Sequence, residues 1–453
     1  MKKLITRKIA YPLQDFYNKT TILPTIGFLQ ESQFWPENQM LDFQFVKMKA
    51  LLDHAYRNVP YYNTLFTSIK LKPDDIRNFG DLHKIPLLTK ETARREGPNL
   101  ISRNYPKKHV LKGFTGGTTG PPLPLLRDPG DLTFTWAAYF RWFAWMGIEL
   151  GDPVTKIWGT RTILSRPLRQ RILNCIKNWY YNRNFINSFN LNDQTIPDAI
   201  RKLNSFRPLL IRGYLSALFQ IAEFMKEHAI SLAFMPKAVS STTETVMEPY
   251  RQIIQKQFSA PLFDQYGCGE CNSMAFEAGD GLGLYVAAEH VYIEILNKAD
   301  TNIQNEEGRI ILTNLDNFVM PFIRYENGDS ALLPSITTNK KFNLPLLRSI
   351  SGRTADIIIL SNGSKVHGVF FTDILHELYD KNPDYIHRFQ VYQEIPGEIE
   401  FRIESKWKPE DNYLLKLETV LKNYFSKVRI VCLENLPNDP NGKFRYVVNS
   451  VKA

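Results

Sequence analysis

"KAVSSTTETVMEPYRQIIQKQFSAPLFDQYGCGE", residues 237–270, decides the fold class. A short strand-like run, KAVSS, leads into Ser and Thr residues suited to cap a helix. The helix follows as TVMEPYRQIIQKQF, and a second strand-like run, PLFDQYG, closes the stretch. Strand, helix and strand in this order predict a parallel or mixed α/β sheet. Two carboxylates stand where such strands end. Glu244 closes "SSTTE" (240–244), and Glu270 lies just past the glycine-rich turn of "DQYGCGE" (264–270), after Tyr266 and Gly267.

Upstream, the first hundred residues read as helical, with loops at "VPYYN" (59–63) and "HKIPLLTK" (83–90). "LTFTWAAYFRWFAWMGI" (132–148) is apolar nearly all round, which predicts a buried helix, packing in the core or lining an acyl or aryl pocket. "GDPVTKIWG" (151–159) reads as a turn and a strand, and "IRGYLSALFQIAEFMKEHAI" (211–230) as a short loop entering a helix. Downstream, residues 284–333 read as strands and hairpins. Beyond residue 355, "RFQVYQE", "IEFRIE" and "KVRIVCLE" alternate with one helix, "DNYLLKLETVLKNYF", as a compact α+β unit of about 100 residues. The expected division is therefore a large domain over 1–354 and a small one over 355–453.

The 453 residues are 43% hydrophobic and 23% charged, the composition of a globular protein with a sizeable core. The net charge of +10 suits acidic small molecules or an anionic membrane surface. It is spread along the chain without a Lys/Arg block, which argues against nucleic acid. Four cysteines do not make a disulfide scaffold. The N-terminus "MKKLITRKIAYPLQDF" lacks the apolar run of a signal peptide, and no stretch reaches the about 18 apolar residues of a membrane span. The expected location is the cytoplasm, although a basic, partly apolar N-terminus is also compatible with contact at a membrane surface.

Several stretches carry candidate chemistry. "FTGGTTGPPL" (114–123) packs poorly but exposes backbone N–H groups, so it reads either as a phosphate loop or as a polar turn. Glu270 reads as a magnesium ligand beside nucleotide phosphates or as a solvated carboxylate. In "RYENGDSALL" (324–333), Asp329 reads as a partner for ribose hydroxyls or as part of an Asn-Gly-Asp hairpin turn. "GRTADIIIL" (352–360) puts Arg353 and Asp356 at the junction of the two regimes, and "NGKFRYVV" (441–448) places Lys443 near the end of the chain. Cys268 and Cys271 form a CxxC with no second Cys/His pair, a poor zinc site, and His290 reads as an ordinary satisfied histidine. Neither GxxxxGK[ST] nor a helix-opening GxGxxG occurs.

In their order and separations these stretches resemble the adenylate-forming superfamily, whose phosphate loop reads TSGTTGKP and is followed by YGxTE, RxGD, GRxDD and a C-terminal GK. "LLDHAYRNVPYYNTLF" (51–66), "DLHKIPLLTKE" (81–91), "IRGYLSAL" (211–218) and "NGSKVHGVFF" (362–371) extend the resemblance to the phenylacetate-CoA ligase branch and its CapK-like members, found with polysaccharide biosynthesis. The resemblance implies an α/β fold with a large N-terminal adenylation domain of several subdomains and a small mobile C-terminal domain. It implies ATP, Mg²⁺ and coenzyme A as cofactors, and a small carboxylic acid as substrate. Thr115, Gly116, Gly117, Thr118, Thr119 and Gly120 would hold phosphates, with Glu244, Tyr266, Gly267, Asp329 and Arg353 around the nucleotide. Glu270 would hold the metal, Asp356 would be the hinge, and Lys443 would act with Glu270 in catalysis. The chain departs from the pattern at Gly116, Pro121, Gly269 and Ala355, where the family has Ser, Lys, Thr and Asp. The acyl acceptor could instead be a carrier protein or an amine such as an amino sugar. A non-catalytic nucleotide-binding partner in a polysaccharide assembly complex is the competing reading, against which Lys443 argues. A homodimer is compatible with the resemblance.

Overall fold

The computed structural model describes residues 2–105, 110–114, 124–159, 168–244, 246, 248–334, 338–351, 357–367, 370–371, 374–375, 388–404, 411–433, 436 and 447–451. Contacts group the chain into two units. One holds Met1–Thr115, Leu123–Asp152 and Phe263–Gly352; the other is built mainly from Pro153–Leu262 and Arg353–Ala453.

In the second unit a five-stranded sheet has the order Arg183–Asn187, Val154–Trp158, Leu210–Tyr214, Ala238–Thr242, Leu262–Phe263. Its first four strands run parallel. Helices Ile196–Phe206, Leu215–Glu227 and Glu248–Phe258 alternate with the strands, as the 237–263 pattern predicts. "IRGY" is not a loop. It belongs to a central strand, Leu210–Tyr214, buried at every position. Gly213 permits this, since a Cβ there would stand 3.0 Å from the Ile157 carbonyl oxygen on the neighbouring strand. A parallel sheet covered on both faces hides its strands from a search for alternation. The strands Arg388–Gln393, Glu398–Glu404 and Lys427–Leu433 and the helix Asp411–Lys422 form where the sequence predicts them, with Val447–Asn449 added along Arg388–Gln393. Their apolar faces share one core with the parallel sheet, and Phe189 meets Phe370 edge to face at 5.2 Å.

The first unit begins helically and then builds two antiparallel-rich sheets. One orders Leu88–Thr89, Tyr325–Leu332, Glu307–Asn314 and Val291–Leu296, with Ser349–Ser351 also on Tyr325–Leu332. The other orders Leu346–Leu347, Leu284–Val286, Ala275–Glu277 and Gln265–Tyr266. Three local expectations change. "VPYYN" opens the helix Pro60–Ser68, with Pro60 in the first turn where its missing N–H costs nothing. "HKIPLLTK" contributes to a 3-10 turn, Phe79–Lys84, and to Leu88–Thr89, which pairs parallel with Tyr325 and Glu326. "PLFDQYG" is not one strand but two, Leu262–Phe263 and Gln265–Tyr266, in different sheets.

The apolar stretch at 132–148 lies largely in a helix, Pro129–Trp145, whose N-terminus is capped by the Asp128 carboxylate. It is a core element: Trp142 is fully buried and donates its indole N–H to the Glu277 carbonyl at 2.9 Å. Among the described residues no helix is long and apolar enough to cross a membrane.

Candidate functional site

Asp329 sits in a break in sheet register. Along the pair Glu307–Asn314 and Tyr325–Leu332, Arg309 faces Ser330 while Ile311 faces Glu326. Asn327, Gly328 and Asp329 thus oppose Ile310 alone. The expected hairpin turn is a bulge inside a strand, with Gly328 at φ +89 supplying the left-handed conformation. Asn327 closes it: its Oδ1 accepts from the Asp329 N–H at 3.1 Å, and its Nδ2 donates to Asp329 Oδ2 at 3.1 Å. Tyr266 completes the group. Its hydroxyl donates to Asp329 Oδ2 at 2.8 Å and accepts from Asn327 Nδ2 at 2.6 Å. Burial and the Asp329 charge push the Tyr266 phenol well above its usual range, so it stays a donor to the carboxylate.

Glu270 lies in the same unit, buried, with Oε1 accepting from the Tyr325 hydroxyl at 2.6 Å. The turn that carries it is closed by Cys268 N–H donating to the Cys271 carbonyl at 3.0 Å. A Cβ on Gly267 would stand 3.1 Å from the Ser273 nitrogen, so a larger residue there would press on the turn's backbone. Burial pushes the Cys268 and Cys271 thiols well above their usual range.

Beneath this turn runs a buried polar network. Asn314 Nδ2 donates to Asp131 Oδ1 at 2.9 Å and to the Glu270 carbonyl at 3.4 Å. Arg127 donates through Nε to Asp131 Oδ2 and through Nη2 to Thr135 Oγ1 at 2.6 Å. Burial opposes charge on Asp131, but Arg127 and His290 outweigh it and hold the carboxyl below its usual range. His290 Nδ1 bonds Asp316 Oδ2 at 2.8 Å, and Lys47 pairs with Asp316 Oδ1 at 2.6 Å, so His290 is the satisfied histidine expected. Arg127 ends the strand Pro124–Arg127, which pairs with Leu111–Phe114 from Leu111↔Arg127 to Phe114↔Pro124. The two strands flank residues 115–123, and the ion pair ties the second of them to the platform under Glu270.

Glu244 belongs to the other unit. Its Oε2 accepts from the Ser216 N–H at 3.1 Å and its Oε1 from the Ser216 hydroxyl at 2.8 Å. It thereby caps the first turn of Leu215–Glu227, an anion at a helix N-terminus. Burial pushes its carboxyl up to about 7, against the two Ser216 hydrogen bonds. Of the residues singled out from sequence, then, Tyr266, Gly267, Glu270 and Asp329 come together in one unit. Thr115, Gly116, Gly117, Thr118, Thr119, Gly120, Arg353, Asp356 and Lys443 lie outside the described residues. Sequence reasoning passed over Tyr325 and Asn327, although both stand in the stretch that contains Asp329. It also passed over Asp131 and Asn314, which stand outside every stretch singled out for chemistry.

No protein-family model matches the chain. Protein CapK of Staphylococcus aureus is 23% identical over 425 residues, covering 92% of this chain and 90% of CapK. The phenylacetate-coenzyme A ligase of Aromatoleum evansii is 24% identical over 408 residues, 86% of both chains. Over most of its length the chain is thus similar to CapK and the phenylacetate-CoA ligases, its distant relatives within the adenylate-forming superfamily. A solved 2-hydroxyisobutyryl-CoA ligase, in complex with 2-HIB-AMP and CoA in the thioesterification state, has a TM-score of 0.63 at 17% identity over 93% of each chain. The same ligase in its postadenylation state reaches 0.60 at 15% identity over 92% of each. The fold is thus the α/β fold, with several sheets, of an acyl-CoA ligase.

Proposed function

We propose that the chain is an AMP-forming acid–thiol ligase. A carboxylate oxygen of the substrate attacks the α-phosphorus of ATP, the bond to pyrophosphate breaks, and an acyl-adenylate forms. A thiol, which we take to be that of coenzyme A, then attacks the acyl carbon, its proton goes to solvent or a base, and AMP leaves. The observation that carries this reading is the Tyr266–Asn327–Asp329 group. A bulge and two hydrogen bonds hold one carboxylate in a fixed place, as recognition of a vicinal diol requires. We assign the ribose hydroxyls of ATP to Asp329, the phosphates to Thr115–Gly120, and supporting nucleotide contacts to Tyr266, Gly267, Glu244 and Arg353.

Magnesium fits the donor set in one form only. Among the described residues no three His, Cys, Asp or Glu side chains converge as a metal cage. Glu270 offers one carboxylate, which suits Mg²⁺ held chiefly by phosphate oxygens and water. When bound there, the ion would offset charge on the phosphates. We further assign the segment 355–453 to a lid that pivots at Asp356 and carries Lys443 to the α-phosphate. The resemblance to CapK supports a place in polysaccharide assembly, where a carrier protein or an amino sugar would be the alternative acceptor.

Pyrophosphate release from ATP with a panel of carboxylic acids, read alongside hydroxamate trapping, tests the activity. If no acid elicits pyrophosphate, the non-catalytic nucleotide-binding reading replaces this one. Two substitutions test the site. Truncating a paired carboxylate contact costs about 2–5 kcal/mol, so Asp329→Ala should raise the Michaelis constant for ATP by about tenfold or more. A change below about twofold would remove Asp329 from the nucleotide site. Glu270→Gln keeps the shape and the Tyr325 contact but removes a charge. It should weaken magnesium-dependent turnover strongly and leave the thermal melt unchanged, whereas unaltered turnover at limiting magnesium would take the ion away from Glu270.

A further inference from the structure

We infer that the N-terminal helix docks on an anionic lipid surface. Lys2–Asn18 is a continuous helical run, with a π turn at Thr6–Ala10 between two α-helical pieces. A π turn brings residues five apart onto one face, so it stacks Leu4 over Ile9. From Ile9 the apolar face continues through Leu13, Phe16 and Tyr17 at α-helical spacing. All five are exposed, Phe16 by 74% and Tyr17 by 78%. The opposite face is anchored: Thr6, Ala10 and Tyr11 are buried, and Tyr11 packs edge-on against Phe140 at 5.1 Å. Lys3 fixes the start of the run to Asp152 at 2.7 Å and to Glu149 at 3.0 Å. The exposed apolar stripe is therefore presented outward by a held helix.

Charge says what covers it. Between Lys2 and Lys19 the chain carries Lys2, Lys3, Arg7, Lys8 and Lys19 against a single acid, Asp15. That acid is occupied, accepting from the Ile22 and Leu23 N–H groups and the Thr20 hydroxyl to cap the next helix. Arg7, Lys8 and Lys19 are exposed, and the Lys19 ammonium lies 4.6 Å from the centre of the Phe16 ring. An apolar stripe with aromatic residues and flanking cations is the pattern of a helix lying in a bilayer interface, where anionic lipids attract each Lys or Arg. A pocket of about 720 Å³ adjoins it, lined by Arg7 and Lys8, by Glu149, whose carboxylate Lys3 pairs, and by apolar side chains including Leu23, Ile26, Phe140 and Ile148. Those two cations and that lining match an anionic headgroup and its acyl chain. The same composition recurs independently in the other unit. The helix Leu168–Tyr180 has no acidic residue and exposes Ile172, Leu173, Ile176, Trp179 and Tyr180 beside Arg169 and Lys177.

The test is co-sedimentation of the full chain with vesicles of phosphatidylcholine alone or mixed with phosphatidylglycerol. The chain should pellet with the mixed vesicles, less so as salt is raised, and poorly with the neutral ones. The triple variant Leu13→Glu, Phe16→Glu, Tyr17→Glu should reduce partition by about tenfold or more, with an unchanged melt because these side chains are exposed. Arg7→Gln with Lys8→Gln should reduce it by about tenfold on anionic vesicles only. Failure of the wild-type chain to pellet with mixed vesicles would overturn the inference, as would a triple variant that binds like wild type. A triple variant that shifts the sedimentation velocity from dimer to monomer while binding vesicles normally would assign the stripe to a second copy of the chain instead.

Discussion

Lys443→Ala is expected to abolish adenylate formation while sparing thioester formation from a pre-made acyl-adenylate. As a carboxylate approaches ATP, two anionic groups are forced together at the α-phosphate, and charge accumulates between them. A preorganised donor aimed at that point is worth several kcal/mol, so its loss should slow the first half-reaction by about a hundred- to a thousandfold. In the second half-reaction the leaving group is AMP and the nucleophile is a thiol. The ammonium then has no charge of that kind to meet if the lid has turned away. The two half-reactions are separable by supplying ATP and acid in one assay and synthetic acyl-adenylate and thiol in the other. Equal slowing in both would refute a lid that changes pose and would leave Lys443 as a fixed contact.

Glu289→Ala is expected to destabilise the protein by about 3–5 kcal/mol, the cost of leaving a buried charge without its partner. Arg141 and Glu289 are both fully buried, with Arg141 Nη1 2.7 Å from Glu289 Oε1. Arg141 also donates to the Leu29 carbonyl at 3.2 Å, and Ser32 donates its hydroxyl to the same Glu289 oxygen. The pair therefore fastens helix Pro129–Trp145 both to Ile22–Ser32 and to the turn that leads into Val291–Leu296. Lys47 and Gln44 reinforce that turn by donating to the Glu289 and Ala288 carbonyls at 2.6 and 2.7 Å. Removing the carboxylate alone strands a guanidinium in the core. Replacing both partners, as in Arg141→Met with Glu289→Leu, should cost less than Glu289→Ala, because nothing charged is left behind. Urea unfolding of the three variants decides the matter: a Glu289→Ala loss under about 1 kcal/mol would show that water or another group reaches Arg141.

What the sequence made legible followed from physical period. Strand–helix alternation at 237–263 exposed the parallel sheet, and the polar interruptions after residue 388 exposed the strands of the last segment. "IRGY" stayed hidden because a central parallel strand needs no alternation, and Gly213 and Arg212 make it look like a turn. Asn-Gly-Asp at 327–329 has the same local propensity in a hairpin as in a bulge. Only the neighbouring strand Glu307–Asn314, whose register carries on past it, decides between them. The grouping of contacts into two units is non-local in the same way. The chain passes between units at Asp152, Leu262 and Gly352, and each unit is completed by residues distant in sequence. At the candidate site, Glu270 and Asp329 could be singled out because carboxylates beside glycines are conspicuous. Tyr325, Asn327 and the Asp131–Asn314 support could not, since their importance lies in whom they touch.

The bulge at 327–329 also separates two kinds of freedom. On either side of it the strand stays locked to its neighbours, with Glu326 opposite Ile311 and Leu332 opposite both Glu307 and Ser349. The three residues between project from the ladder without belonging to its pairing. Of the three, Gly328 is fixed by its φ of +89 and Asn327 by its bonds to Asp329, so a change at Asn327 would alter how the carboxylate is held while the paired residues on either side stay in place. A deletion is another matter, because it would remove one of the three residues whose mutual bonds hold the Asp329 carboxylate. The paired residues on either side thus act as a fixed frame, and what the bulge presents is set by the few side chains inside it.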